Sequence, residues 1–169
     1  SGASGPEASP NSKPVFAQAP DLDVQALEKE LDALLLGGYG AGGSESSGGR
    51  WRLTESGKGI ERNFRFKGFK KTWEFMDTVA KECVVKKHHP EWSNVYNTTF
   101  IRWTTHSPSG LTEKDLTMAR FCDEVAAKCG EVEPAPEELD QKGGRGKELA
   151  DTVAATAGDC CVPKKKTSA

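Results

Sequence analysis

Eleven of the thirteen aromatic side chains in this 169-residue chain fall between Trp51 and Phe121. Aromatics bury more apolar surface than most residues, so where they gather is where a core can form. The two ends of the chain are too polar to join it. A unit of about 80 residues plus one helix can fold without covalent staples, although its stability is modest. Length alone favours one domain with loose ends.

Within the aromatic span the apolar period changes twice. Ile60, Arg62, Phe64 and Phe66 alternate with Glu61, Asn63, Arg65 and Lys67, the period of a strand with one buried and one solvated face. Trp51–Thr54 ahead of it reads as a short strand, with a turn over 55–59. After Gly68, Phe69, Trp73, Met76, Ala80 and Cys83 or Val84 recur at helical spacing and predict the buried face of a helix. Lys86 and Lys87 fall in its last turn, where positive charge complements the helix dipole. Pro90 disfavours helix just beyond. Trp92–Tyr96 and Thr98–Thr105 then read as a hairpin around Asn97, with Thr99, Ile101 and Trp103 on one face. A further helix starts at Thr112, buries Leu116, Ala119, Cys122, Val125, Ala126 and Cys129, and stops at Gly130.

Outside that span, residues 1–20 are rich in Ser, Ala, Gly and Pro and are expected to be disordered. Val24, Leu27, Leu31, Leu34 and Leu35 mark a first helix over 21–36, with Asp21 or Asp23 as N-cap. Residues 37–49 read as a flexible Gly/Ser insertion, because the strand and Gly-Lys-Ser/Thr of a phosphate loop are missing. Residues 51–130 form the main domain, and 131–169 a mostly disordered tail with a weak helix over Leu149–Thr156. The resulting order, α-β-β-α-β-β-α, predicts a two-layer α+β domain, a four-stranded antiparallel sheet with three helices on one face.

A net charge of −2 gives no reason to expect direct binding to nucleic acid. No apolar run approaches the roughly 20 residues of a membrane span, and the N-terminal stretch carries no secretory pattern. Cys83, Cys122, Cys129, Cys160 and Cys161 form neither a disulfide framework nor a Cys-x-x-Cys zinc pattern. A reducing, cytoplasmic location fits them. The run Pro163–Lys166 is a faint hint of nuclear import.

The chain has three histidines, His88, His89 and His106. The first two stand where a helix hands over to a strand, and the third just past a strand end. Imidazole suits proton transfer and metal ligation because its pKa lies near neutrality. The plain alternative is a polar turn and a surface residue. A His₃ metal site is disfavoured, since neighbouring side chains on an extended segment diverge.

The surrounding residues decide between these readings. His88-His89-Pro90-Glu91-Trp92, Asn94-Val95-Tyr96-Asn97, Thr105-His106, then Gly110-Leu111-Thr112 and Asp115, resemble the pterin-4a-carbinolamine dehydratase family, also known as the dimerisation cofactor of a homeodomain transcription factor. Trp51, Phe64, Phe66, Phe69 and Phe75-Met76 extend the likeness over about Trp51 to Cys129. The resemblance implies dehydration of 4a-hydroxytetrahydropterin to quinonoid dihydropterin, in tetrahydrobiopterin recycling, without cofactor or metal. It implies that His88 and His106 exchange protons at the carbinolamine and that His89 helps to hold the pterin. Pro90, Thr105, Ser107 and Pro108 match substrate-contacting positions, and Asp115 a supporting acid. Thr112-x-x-Asp115 is also a capping-box pattern, so helix start and site support have equal claims on Asp115.

The chain departs from the family at Val84 and Lys87, where a polar or acidic residue is usual, and that leaves the tuning of His88 open. The resemblance further implies a homodimer or homotetramer. The alternative function is a non-enzymatic, oligomerising partner of a transcription factor.

Overall fold

The computed structural model describes residues 13–35, 50–133 and 144–157. Four strands follow the order β1 (Arg52–Leu53), β2 (Gly59–Arg65), β4 (Thr98–His106), β3 (Glu91–Val95), all antiparallel, and a short β5 (Ser109–Gly110) pairs with β4. Helices α1 (Val24–Leu34), α2 (Phe69–Lys86) and α3 (Glu113–Lys128) supply the other layer. The domain is therefore the α+β sheet-and-helix arrangement that the sequence periods predict.

The core lies between the layers because alternate strand residues point to it. Ile60 and Phe64 of β2 and Ile101 and Trp103 of β4 meet Leu27, Leu31 and Leu34 of α1, Phe75 and Val79 of α2, and Leu116, Ala119 and Cys122 of α3. Asp23 caps α1 by accepting from the Ala26 N–H at 3.1 Å. Arg62 shares the buried face of β2 and pairs with Asp123 and Glu131.

Three observations depart from the expectations above. The first concerns α2, which buries Thr72, Phe75 and Val79, while Phe69 and Trp73 are 52% and 57% exposed and stack on each other at 6.2 Å. The predicted stripe is thus rotated. Phe75 sits against Phe64 and Phe66 at 4.8 and 5.0 Å, and that aromatic cluster fixes which face points inward. Val84 also faces out.

The second concerns the N-terminal segment. Residues 13–17 are ordered against the domain: Val15 N–H donates to Gly57 O, Ala17 N–H to Leu111 O, and Leu111 N–H to Val15 O. Gly110, at φ 129°, lets this strap lie close, since a Cβ there would sit 2.7 Å from the Ala17 nitrogen.

The third is a fourth described helix, α4 (Gly144–Thr156), longer than the weak helix expected in a mostly disordered tail. It lies on the sheet face opposite the core, against β3 and β4. Gly146 brings it close, as a Cβ there would be 3.0 Å from Phe100 Cβ. Ser93 Oγ donates to Gly146 O at 2.5 Å. Small residues at 146, 150 and 154 recur every four positions, and with Ala150 they present a narrow face to the sheet. The expectations for residues 1–12, 37–49, 134–143 and 158–169 fall outside the described residues.

Candidate active site

Helix α2 ends on Lys87, which adopts the left-handed conformation at φ 52° and ψ 41°. The reversal lets the His88 N–H close back on Cys83 O at 3.1 Å, satisfying a carbonyl of the last turn. It also turns the His88 ring toward the core side of the sheet. The ring stacks on Trp103 with centroids 5.5 Å apart, and Trp103 is fully buried in the middle of β4.

His88 Nε2 lies 2.6 Å from Asp115 Oδ1. Asp115 is fully buried in the first turn of α3, where the helix dipole favours a carboxylate. Its Oδ2 accepts from Thr105 Oγ1 at 2.7 Å, Thr112 N–H at 2.9 Å and Thr112 Oγ1 at 3.3 Å. One oxygen of Asp115 therefore caps the start of α3, while the other faces His88. Against an ionised carboxylate, which can only accept, Nε2 would be the donor and Nδ1 the nitrogen left for other chemistry.

His106 ends β4 and is 55% exposed. Strand alternation places it with Arg102 on the sheet face away from the core. Its Nε2 is 3.5 Å from Glu91 Oε1, and the other Glu91 oxygen accepts from Arg102 Nη1 at 3.0 Å. Glu91 is thus the near charge for His106, a role the sequence reading missed. The signal was there, since a two-residue hairpin at Tyr96-Asn97 pairs Val95 with Thr98 and so Glu91 with Arg102. Trp103 as the floor under His88 was likewise legible only as a core residue.

The segment from His88 to Pro90 leads into the start of β3, beside the end of β4 that carries Thr105 and His106, so both lie at one end of the sheet. Thr105 joins them through Asp115. His89, Ser107 and Pro108 are exposed and Pro90 half-buried. The Ser107–Pro108 peptide is cis. His89 makes no hydrogen bond among the described residues. They contain no cluster of three or more His, Cys, Asp or Glu arranged to hold a metal ion.

A profile of the family described as pterin 4 alpha carbinolamine dehydratase matches residues 28–125. A Bordetella avium protein, named provisionally as a pterin-4-alpha-carbinolamine dehydratase, is 41% identical over 81 residues, covering 48% of this chain and 75% of its own. A Novosphingobium aromaticivorans protein with the same provisional name is 47% identical over 70 residues, covering 41% and 73%. A crystal structure of a transcriptional coactivator/pterin dehydratase from Brucella melitensis is 38% identical, covering 45% of this chain and 81% of its own, with a TM-score of 0.44. The profile spans His88, His89, His106 and Asp115 and ends before α4.

Proposed function

The chain belongs to the pterin-4a-carbinolamine dehydratase family, and from that premise we propose that it removes water from 4a-hydroxytetrahydropterin to give quinonoid dihydropterin. The observation that carries the reading is the His88–Asp115 pair, a histidine stacked on Trp103 with Nε2 held 2.6 Å from a buried carboxylate oxygen. In the reaction the C4a–O bond breaks, the hydroxyl leaves as water after accepting a proton, and N5 gives up its proton as the C4a–N5 double bond forms. His88, through Nδ1, and His106 form the proton-exchanging pair, and positioned imidazoles contribute on the order of 10²–10⁴-fold each near neutral pH. His89, exposed beside Pro90, holds the pterin. Thr105 orients Asp115 and through it His88. None of these steps requires a group beyond the side chains.

A reducing, cytoplasmic setting is part of the proposal. Among the described residues, no helix is long and apolar enough to cross a membrane. The dehydratase is proposed as a homodimer or homotetramer, and a second reading, a non-enzymatic oligomerising partner of a transcription factor, is favoured by the exposed apolar residues of α2, Phe69, Trp73, Val84 and Val85. Such a surface suits association with another helix.

The two readings separate experimentally. Turnover of 4a-hydroxytetrahydropterin by the purified full chain, lost in the His88→Ala, His106→Ala double variant while light scattering stays unchanged, is the expected result. A native chain with no turnover overturns the dehydratase reading.

A further inference from the structure

The outer face of the sheet carries a chain of charges that starts at His106 and ends on α4. Glu91 stands between His106 and Arg102, giving Oε1 to the ring and Oε2 to Nη1. Arg102 is a forked donor with every arm occupied: Nε reaches Glu61 Oε2 at 2.8 Å and Nη2 reaches Asp151 Oδ1 at 2.5 Å. Asp151 in turn takes Lys147 Nζ at 2.5 Å, one turn back on the same helix. The guanidinium also lies over Phe100, 5.3 Å from the ring centroid, in a side chain only 12% exposed.

These contacts have a direction. A planar guanidinium has few ways to satisfy several carboxylates at once, so fixing two arms fixes the third. Glu61 from β2 and Asp151 from α4 hold Arg102 from two sides, which aims Nη1 at Glu91. Glu91 then has one oxygen tied and the other facing His106. Burial works against the charge on Arg102, but Asp151, Glu61 and Glu91 outweigh it and hold the group above the ordinary guanidinium range. The anchoring of α4 through Gly146, Ser93 and Ala150 makes Asp151 a fixed partner rather than a passing surface contact.

We propose that Asp151 is a positioning residue for His106, acting through Arg102 and Glu91, so that α4 is part of the catalytic unit although it lies outside the family-matched span. The inference rests on the dehydratase reading for its kinetic consequence. Its structural half, that the state of α4 sets the surroundings of the His106 ring, stands apart from any activity.

The test uses full-length variants and two readouts, dehydratase kinetics and the His106 ring signals in ¹H–¹⁵N spectra. Asp151→Asn is expected to lower kcat by about 10-fold with KM within about twofold, less than the roughly 10²-fold that a 1 Å misplacement can cost. It should also shift or broaden the His106 signals. Asp151→Glu, which keeps a carboxylate on α4, should restore both. Gly146→Val alters no charge but forces a side chain into Phe100 and Ser93, so it should reproduce the Asp151→Asn result once proteolysis at Arg145 or Lys147 shows α4 released. Unchanged His106 signals in a chain whose α4 is released overturn the proposal. So does a loss of kcat that Asp151→Glu fails to rescue while thermal stability falls, because that pattern belongs to general destabilisation. A native chain without turnover sinks the dehydratase reading alone, and the spectra still decide the positioning.

Discussion

His88 and His106 come from opposite faces of one sheet, and the two faces hold their histidines by different physics. On the core side, His88 rests on a buried indole and is hydrogen-bonded to a carboxylate that also starts a helix. Moving that ring means disturbing β4, α3 and the aromatic core together. On the outer side, His106 is more than half exposed, and its one ionic neighbour among the described residues is 3.5 Å away. Apolar packing fixes the first histidine as a by-product of folding. The second depends on a surface charge network closed by a helix outside the family-matched span. Exposed ion pairs are weakly ordering one at a time, whereas a network around a half-buried arginine holds better. Preorganisation is therefore unequal across the site.

The largest effects test whether the faces are separable. Trp103→Ala removes the floor under His88 and leaves a cavity in the core, and should cost about 3–5 kcal/mol of stability in a denaturant titration. Phe100→Ala, its neighbour on the other face, should chiefly release α4, seen as faster proteolysis near Lys147 with a smaller shift of the unfolding midpoint. Equal midpoint shifts would mean that the outer face is a second core rather than a docking surface.

Next come the histidines themselves. His88→Ala and His106→Ala should each lower kcat by about 10² or more, while His89→Ala should act mainly on KM. The exposure of His106 sharpens this: if its loss costs less than about tenfold, the fixed His88 carries the chemistry alone.

Much of this was legible in the chain. The alternation through Ile60–Phe66 and the stripe from Leu116 to Cys129 point to both layers, but a hairpin around Asn97 alone misses the register, because Tyr96 belongs to the turn at φ 53° and Val95 pairs with Thr98. The rotation of α2 was not legible, because Phe69, Trp73 and Phe75 are equally apolar and only the packing of Phe64 and Phe66 selects Phe75. The covering of the outer face was hidden for a different reason. Helix α4 docks through Gly146 and Ala150 and through charges, so it lacks the large apolar stripe by which a buried helix is recognised. The residues 13–17 dock by backbone hydrogen bonds, which composition does not reveal. For the site, Asp115 can be read as cap or acid, and only three dimensions show one oxygen on the helix start and the other against His88.

A smaller effect concerns the hinge between α2 and the site. Lys87 occupies a left-handed conformation that costs a non-glycine residue about 1–2 kcal/mol. Lys87→Gly removes that penalty but adds unfolded-state entropy, so a net gain of about 0.5–1 kcal/mol is expected in thermal unfolding. A loss of stability would show that the Lys87 side chain, and not its backbone, holds the turn.

The smallest expected effect is an acid response that differs between the two ion clusters. Burial holds Asp123 and Glu131 above the ordinary carboxyl range, and Arg62 only partly offsets it. For a carboxyl raised in the fold, the ionised form is the costly one, so that cost fades as pH falls through the folded value. Asp151 has the opposite sign. Slight burial opposes its ionisation, but Lys147 and Arg102 outweigh burial and hold it below the ordinary value of 3.8. Its contribution to docking is therefore complete above about 3.8 and is lost as pH falls through the lower folded value. Acid should thus loosen α4 while the Arg62 cluster is being relieved, and the effect should be slight because Asp151 is largely solvated. Hydrogen exchange of the α4 amides, followed from pH 5 down to about pH 3 against those of α3, reads this directly. Loss of protection in α4 ahead of α3 is the expected order, and it should vanish in Asp151→Asn. Simultaneous loss would mean that both faces of the sheet unfold as one unit.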